Sequence, residues 1–142
     1  MIFLADSNII SEVTRPQPNV RVQEWLRNHE QEIAVDPIIL GEIRFGILQL
    51  PAGKKRQFLE EWFGKVVMSI VCVPWDVETA MRWARLLADL RSAGCSMPIK
   101  DSMIAATALV HDMTIVTRNS RDFQNAGLRV VNPFEEKRGR RS

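Results

Sequence analysis

Short runs of apolar residues recur along the chain, each bounded by polar residues or proline. Runs of this length with β-branched residues are typical of buried strands. The pattern predicts five strands, at Ile2–Ala5, Glu32–Val35, Ile70–Val73, Thr114–Thr117 and Leu128–Val131.

Longer segments between these runs carry apolar residues at helical spacing. In one of them Phe58, Leu59, Trp62, Phe63 and Val66 follow the i, i+3, i+4 pattern of one helix face. The predicted helices are Ser7–Thr14, Val20–His29, Pro37 to about Leu50, Lys54–Val67, Val77–Leu90 and Ile99–Val110, with a short turn or helix between the last two strands.

The order of these elements is β-α-α-β-α-α-β-α-α-β-α-β. Alternation of this kind predicts an α/β fold of three α/β/α layers, with a largely parallel five-stranded sheet between helices. Binding sites in such sheets form beyond the carboxyl ends of the strands, where the strand order reverses.

The length and the net charge of the chain predict its domain organisation and exclude one class of protein. The chain has 142 residues, 19 Lys and Arg, and 17 Asp and Glu. We expect one domain over residues 1–134, which are formally neutral, and a basic, disordered tail over residues 135–142 that holds the whole net charge of +2. A protein that coats nucleic acid through its overall charge is therefore excluded.

Several other classes are excluded by simple features of the sequence. No apolar stretch approaches the roughly 20 residues that span a bilayer, and the N-terminus has no basic segment typical of a secretory signal. The only cysteines, Cys72 and Cys95, form no CxxC motif and accompany only two histidines, so no zinc framework is expected. We predict a cytoplasmic protein without a membrane association.

Acidic and amide residues follow the predicted strands or begin helices. Asp6 comes directly after the first strand, Asp101 lies in the first turn of a helix, and Asn119 and Asp122 follow the fourth strand. A parallel sheet would bring these positions to one edge. Two simpler interpretations remain open, since Asp6 could only cap the next helix and Asp101 could only face the helix dipole.

Glu42 lies in the middle of a predicted helix rather than at an end. It shares a helix side with Ile38, Phe45 and Gly46, so we expect its carboxylate to be partly desolvated and in need of a proton, a cation or a metal. The alternative is an ion pair with Arg44 or with an arginine of another helix.

Carboxylates that converge need a counter-cation. Two of them about 4 Å apart repel by about 4 kcal/mol at an effective dielectric constant of 20. Oxygen ligands without nearby Cys or His select Mg²⁺ or Mn²⁺, and the expected reaction is metal-assisted phosphodiester hydrolysis. Arg44, Lys100, Arg118 and Arg121 are candidate phosphate contacts, with solvated surface charge as the alternative.

Four motifs in this order resemble the PIN-domain ribonucleases. They are Asp6-Ser7-Asn8-Ile9-Ile10-Ser11-Glu12, Gly41-Glu42-Ile43-Arg44-Phe45-Gly46, Asp101-Ser102-Met103-Ile104-Ala105-Ala106-Thr107-Ala108 and Thr117-Arg118-Asn119-Ser120-Arg121-Asp122-Phe123. Within the family the chain is most similar to VapC-type toxins of toxin–antitoxin modules, including the FitB-like branch. The resemblance covers residues 1 to about 134.

The resemblance implies an endoribonuclease that depends on Mg²⁺ or Mn²⁺ and acts as the toxin of a toxin–antitoxin system. It also implies a homodimer, a higher assembly with a VapB- or FitA-like antitoxin, and an RNA substrate. Asp6, Glu42 and Asp101 match the acidic ligands of the family, and Asn8 and Thr117 match polar residues that hold the ligands or the attacking water.

The fourth acid differs from many relatives, which have Asp where this chain has Asn119. Either Asn119 or Asp122 could complete the site, and the number of metals stays open between one and two. A neutral Asn119 favours one tightly bound ion with a second recruited by RNA.

Two rival functions are a catalytically silent PIN-like module that acts through dimerisation and docking, and a phosphatase that uses Asp6 as nucleophile. Clustered carboxylates argue against the first. Asn8 stands where the second usually has another acid, which argues against it as well.

Overall fold

The computed structural model describes residues 2–135. Its strands are β1 (Phe3–Ala5), β2 (Ile33–Val35), β3 (Val71–Cys72), β4 (Thr114–Val116) and β5 (Val130–Val131). Its helices are α1 (Ser7–Ile10), α2 (Val20–Asn28), α3 (Pro37–Leu48), α4 (Lys54–Ser69), α5 (Val77–Ser92), α6 (Ile99–His111) and α7 (Ser120–Gln124), and 3-10 turns cover Ser11–Thr14 and Glu30–Glu32.

All five strands run parallel, in the order β3-β2-β1-β4-β5. The chain builds one half of the sheet outward from β1 and then crosses back to place β4 on the other side of β1. The strand order therefore reverses between β1 and β4, which is where an α/β sheet opens a crevice for a ligand. The predicted three-layer α/β/α architecture is confirmed.

The centre of the sheet is also the centre of the core. Leu4, Ala5, Ile115 and Val116 are completely buried on the two middle strands. Helix α6 packs here through Ile104, Ala105 and Ala108, which are equally buried. Small residues on α6 allow this close approach, so the helix that carries Asp101 has a fixed position relative to β1 and β4.

The prediction of one helix over Ser7–Thr14 is wrong, because the helix ends at Ile10 and a 3-10 turn follows. Two side chains stabilise the tighter turn. The Thr14 hydroxyl donates to the Ser11 carbonyl at 2.7 Å, and the buried Glu12 carboxylate accepts the Asn19 amide N–H at 2.8 Å. The turn separates α1 from α2 along the chain, and α1 itself begins directly after β1 and Asp6.

The predicted tail falls almost wholly outside the described residues, of which only Glu135 belongs to it. Within residues 2–135, no helix combines the length and the apolar character needed to cross a membrane.

A buried acid that sequence reasoning missed connects β2 to two helices. Asp36 is completely buried and caps α3, accepting the Ile39 N–H at 2.9 Å and the Thr107 hydroxyl at 2.7 Å. Burial raises the pKa of the Asp36 carboxyl, and the two hydrogen bonds oppose that rise. Its position just before Pro37, a proline in the first turn of a helix, is the sequence signal that could have identified this cap.

We predict that Thr107→Val destabilises the fold by about 1–3 kcal/mol, because the buried Asp36 oxygen loses its donor. Urea unfolding measures the change. Thr107→Ser keeps the hydroxyl and should lose no more than about 1 kcal/mol for the missing methyl group. A Thr107→Val variant as stable as the wild type would show that the bond contributes nothing.

Candidate active site

The register of β1 and β4 places the first site residues side by side. Ala5 pairs with Val116, and the Asp6 N–H donates to the Val116 carbonyl at 2.9 Å. Asp6 and Thr117 therefore leave the two strands next to each other, at the reversal of strand order. This is the edge at which the sequence predicted a site.

Asp6 is buried and held by three donors. The Ser7 N–H donates to Oδ1 at 2.8 Å, while the Thr117 hydroxyl and the Asn8 amide donate to Oδ2 at 2.8 and 3.3 Å. Asp6 does cap α1, as the simpler interpretation held, but it also joins both central strands. Burial raises the pKa of the Asp6 carboxyl, and the negative charge of Glu42 adds to that rise.

The side chains of Asn8 and Thr117 each bond both Asp6 and the backbone that follows β4. Besides donating to Asp6, the Asn8 side chain accepts the Arg118 N–H at 3.1 Å, and the Thr117 hydroxyl accepts the Asn119 N–H at 3.0 Å. These bonds tie the segment after β1 to the segment after β4. The orientation of Asp6 is thus determined by both segments.

Glu42 reaches the same edge from α3. Its Oε2 lies 2.6 Å from the Lys100 ammonium, and its Oε1 accepts the Ser7 hydroxyl at 3.3 Å. The suggested pairing with Arg44 is wrong, because Arg44 contacts Glu60 of α4 at 3.3 Å. Phe45 is 65% exposed, whereas the Glu42 side chain retains 17% of its exposure.

Asp101 and Asp122 form a pair of carboxyl groups. The Asp101 side chain is buried, and a hydrogen bond with Asp122 contributes to the raised pKa of the Asp101 carboxyl. Burial, this bond and the charges of Asp6, Asp122 and Glu42 raise the pKa of Asp101 from 3.8 to about 7. Negative charge is therefore in excess here.

Asn119 is placed differently from Asp122. Its side chain is exposed, and its contact with the site is made by its backbone N–H. By contrast, the side chain of Asp122, which lies three residues later in α7, reaches Asp101.

The four candidate phosphate contacts are not equivalent. Lys100 lies in the site, and its hydrogen bond with Glu42 raises the pKa of its ammonium group. The Arg118 guanidinium lies 4.4 Å from the centre of the Phe134 ring, Arg44 pairs with Glu60, and Arg121 is exposed on α7. Lys100 is thus the cation closest to the carboxylates.

Ser7 is a site residue that sequence reasoning missed. It contributes its N–H to Asp6 and its hydroxyl to Glu42, and so connects two of the acids. Its place directly after Asp6, at the start of a helix, was the available signal.

The donor set fits a hard divalent cation by type and charge. All candidate ligands are oxygen atoms, and Asp6 and Asp101 have raised pKa values that a cation would lower. Over residues 2–135, however, no three His, Cys, Asp or Glu side chains stand close enough together to hold a metal as they are. Holding a cation would therefore require these carboxylates to move closer together.

Comparison with known proteins gives a consistent result. The model of the PIN domain family matches residues 3–128. The chain is 31% identical to VapC ribonuclease Y4jK of Sinorhizobium fredii, over 94% of this chain and 99% of that one, and 32% identical to toxin FitB of Neisseria gonorrhoeae, over 95% and 100%. A solved structure of FitAB bound to an IR36 DNA fragment superposes with a TM-score of 0.89 at 32% identity, covering 97% of this chain and 99% of that chain.

We predict that the metal-free protein loses stability as the pH rises from about 4 to about 7. The folded state retains a proton on Asp101, with its pKa of about 7, that the unfolded state releases near 3.8. Unfolding therefore becomes easier as that proton is lost. The urea midpoint in EDTA measures this slope, which should be smaller in Asp101→Asn; parallel curves for the two proteins would contradict the prediction.

Proposed function

The chain belongs to the PIN domain family, and from this premise we propose that it is a metal-dependent endoribonuclease acting as the toxin of a toxin–antitoxin pair. Similarity over nearly the whole chain to a VapC ribonuclease and to toxin FitB supports both parts of the proposal. RNA cleavage by hydrolysis of a phosphodiester bond is the reaction.

The observation that carries this proposal is the convergence of carboxyl groups from separate elements. Asp6 follows β1, Glu42 comes from α3, Asp101 from α6 and Asp122 from α7, and their charges influence one another. Crowded carboxylates destabilise the fold. A purely structural role does not account for them, whereas a divalent cation does.

Asp6, Asp101 and Asp122 would hold the cation, with Glu42 beside them. The oxygen-only ligand set favours Mg²⁺ or Mn²⁺ over zinc. A cation bound there would supply an activated water and neutralise the charge that develops on the phosphate. Asp122 rather than Asn119 completes the set in this proposal, because its side chain lies at Asp101.

The remaining residues of the site position the ligands. Thr117 and Asn8 orient Asp6 through the hydrogen bonds to Oδ2. Lys100 holds Glu42 in place and brings a positive charge to the edge where an RNA phosphate would approach. Arg118 and Arg121 stand further out, on the segment after β4, as candidate contacts for flanking phosphates.

We propose that this arrangement binds one metal ion tightly and that a second ion binds together with the RNA. Asn119 is neutral and exposed, so it adds little to a second metal. The number of Mn²⁺ ions bound with and without RNA distinguishes this arrangement from two permanent ions.

A protein partner and a homodimer complete the proposal. Structural similarity to a chain of the FitAB complex supports a cognate antitoxin as the protein partner. Exposed apolar residues support self-association: Val77 and Met81 are 75% and 63% exposed and lie four residues apart on one side of α5.

Both cysteines are free thiols, which agrees with a cytoplasmic protein.

The rival phosphatase mechanism is disfavoured by the surroundings of Asp6. A phosphatase of this type usually has a second acid two residues after its nucleophile, whereas this chain has Asn8, whose amide donates to Asp6 Oδ2 at 3.3 Å.

We predict that Asp6→Asn and Asp101→Asn each lower RNA cleavage by at least about 10²–10³-fold, because each removes negative charge that a cation requires. Cleavage of total RNA in Mg²⁺ or Mn²⁺, mapped by sequencing the new ends, measures the effect. Excess EDTA should abolish cleavage by the wild type.

Asp112→Asn is the matched control. The Asp112 side chain is 92% exposed and pairs with Arg129, and Asn tolerates the positive φ of 53° at this position. This variant should cleave RNA as the wild type does. Full cleavage by Asp6→Asn and Asp101→Asn, or cleavage that persists in EDTA, would reject the proposed function.

A further inference from the structure

A cavity of about 470 Å³ opens beside the carboxylates, between α1, α3 and α4. We call it the α3–α4 cavity. Ser7, Asn8 and Glu42 line it at one end, so it is continuous with the candidate active site. Its volume lies within the range of sites that enclose small organic groups.

The walls of the α3–α4 cavity differ in chemistry. Away from the carboxylates, its lining is apolar and includes Ile43, Ile47, Leu59 and Trp62. Trp62 is half-buried and presents an aromatic surface. An apolar wall with an aromatic ring next to polar groups suits a flat ring that carries a polar edge, as a nucleobase does.

Basic residues form the first turn of α4, the helix that lines one side of this cavity. Helix α4 begins with Lys54, Lys55 and Arg56, and its N-cap Gly53 provides no side-chain acceptor. Cations at a helix N-terminus oppose the helix dipole and lower the stability of the helix. An anion bound there would offset that cost.

Lys55 is the cation of this turn that faces the cavity. Arg56 is neutralised by Glu60 at 3.7 Å, whereas Lys55 forms no ion pair with any residue in the described range 2–135. Arg15 lines the opposite side, where Glu12 lies 3.7 Å from its guanidinium group. A phosphate near Lys55 would therefore meet an ammonium group that forms no ion pair with a carboxylate of the described residues.

We propose that the α3–α4 cavity receives the nucleotide next to the cleaved phosphate, with its base against Trp62 and its own phosphate at Lys55. This inference rests on the proposed ribonuclease function and adds to it a place where the enzyme selects its RNA. A single strand that crosses the carboxylates at Glu42 enters the cavity directly. The occupant is RNA rather than a protein segment, because the cavity continues from the carboxylates at which the RNA would be cleaved and its lining includes the cation Lys55, which is unpaired within the described residues.

Gly46 allows the cavity to be filled without strain. It lines the cavity on α3, a Cβ built on it meets nothing within 4 Å, and its φ is not positive. Gly46→Leu should therefore fold and occupy the space of the base. Gly64→Leu on α4 is the matched control, because that helical glycine is equally open and does not line the cavity.

Binding of a short, fluorescently labelled, single-stranded RNA of random sequence tests the proposal. The Asp6→Asn background keeps the RNA intact. Gly46→Leu should weaken binding by about tenfold or more, the effect of losing one stacked base, and in the otherwise wild-type enzyme it should raise KM for cleavage more than it lowers kcat. Gly64→Leu should change neither quantity.

Lys55→Gln tests the phosphate contact by its salt dependence. Loss of one contact should lower the slope of log Kd against log salt concentration by about 0.7 for a single strand. Lys65→Gln, which removes an exposed cation from the same helix, should leave the slope unchanged.

Three outcomes would overturn the inference. The first is RNA binding by Gly46→Leu that is as tight as that of the parent protein. The second is an equal loss of RNA affinity in Gly46→Leu and Gly64→Leu. The third is a Gly46→Leu variant that binds RNA normally but no longer binds its inhibitory protein partner. The last would identify the cavity as a protein-docking site. Each of these can occur while the wild type still cleaves RNA, so failure of the inference is distinct from failure of the proposed function, in which the wild type cleaves no RNA.

Discussion

Mutual repulsion between carboxylates at the junction of β1 and β4 is the constraint on which this structure depends. The parallel register brings Asp6 and Thr117 together, and α3, α6 and α7 add Glu42, Asp101 and Asp122 at the same edge. Repulsion of this kind costs folding free energy. The hydrogen bonds to Asp6 and the ammonium of Lys100 beside Glu42 reduce that cost.

The way in which the charge is compensated argues for function rather than for structure alone. None of the four acids pairs with a guanidinium within the described part of the chain, although arginines lie nearby in sequence. Burial and the neighbouring carboxylates instead raise the pKa of Asp101 to about 7, so that it retains a proton below that pH. A proton can be exchanged for a divalent cation, and the site retains hydrogen-bond donors that keep Asp6 in place when it is ionised.

Much of the fold could be predicted from the sequence, because buried strands and amphipathic helices leave periodic patterns. Local deviations could not be predicted in this way. The helix after Asp6 ends at Ile10, where Thr14 bonds back to Ser11 and Glu12 accepts the Asn19 backbone N–H; hydrophobic periodicity carries no record of these bonds. Asp36 was missed because its burial depends on Thr107, which lies 71 residues away.

The candidate site shows the same division. Position after a strand predicted Asp6 at this edge, whereas Thr117 and the place of Glu42 among the acids came from the family resemblance. Side-chain partners were decided by tertiary packing: Lys100 rather than Arg44 pairs with Glu42, and the side chain of Asp122 rather than that of Asn119 reaches Asp101. The α3–α4 cavity depends on the packing of two helices and has no signal in the local sequence beyond Gly46.

Titration of the protein with Mn²⁺, followed by the paramagnetic resonance of the free ion, tests the central claim most directly. The account predicts saturable binding by the wild type that is strongly weakened in Asp101→Asn and Asp122→Asn and unchanged in Asn119→Ala. Binding that is equally tight in all four proteins, or absent from the wild type, would contradict the claim that these carboxylates exist to hold a cation.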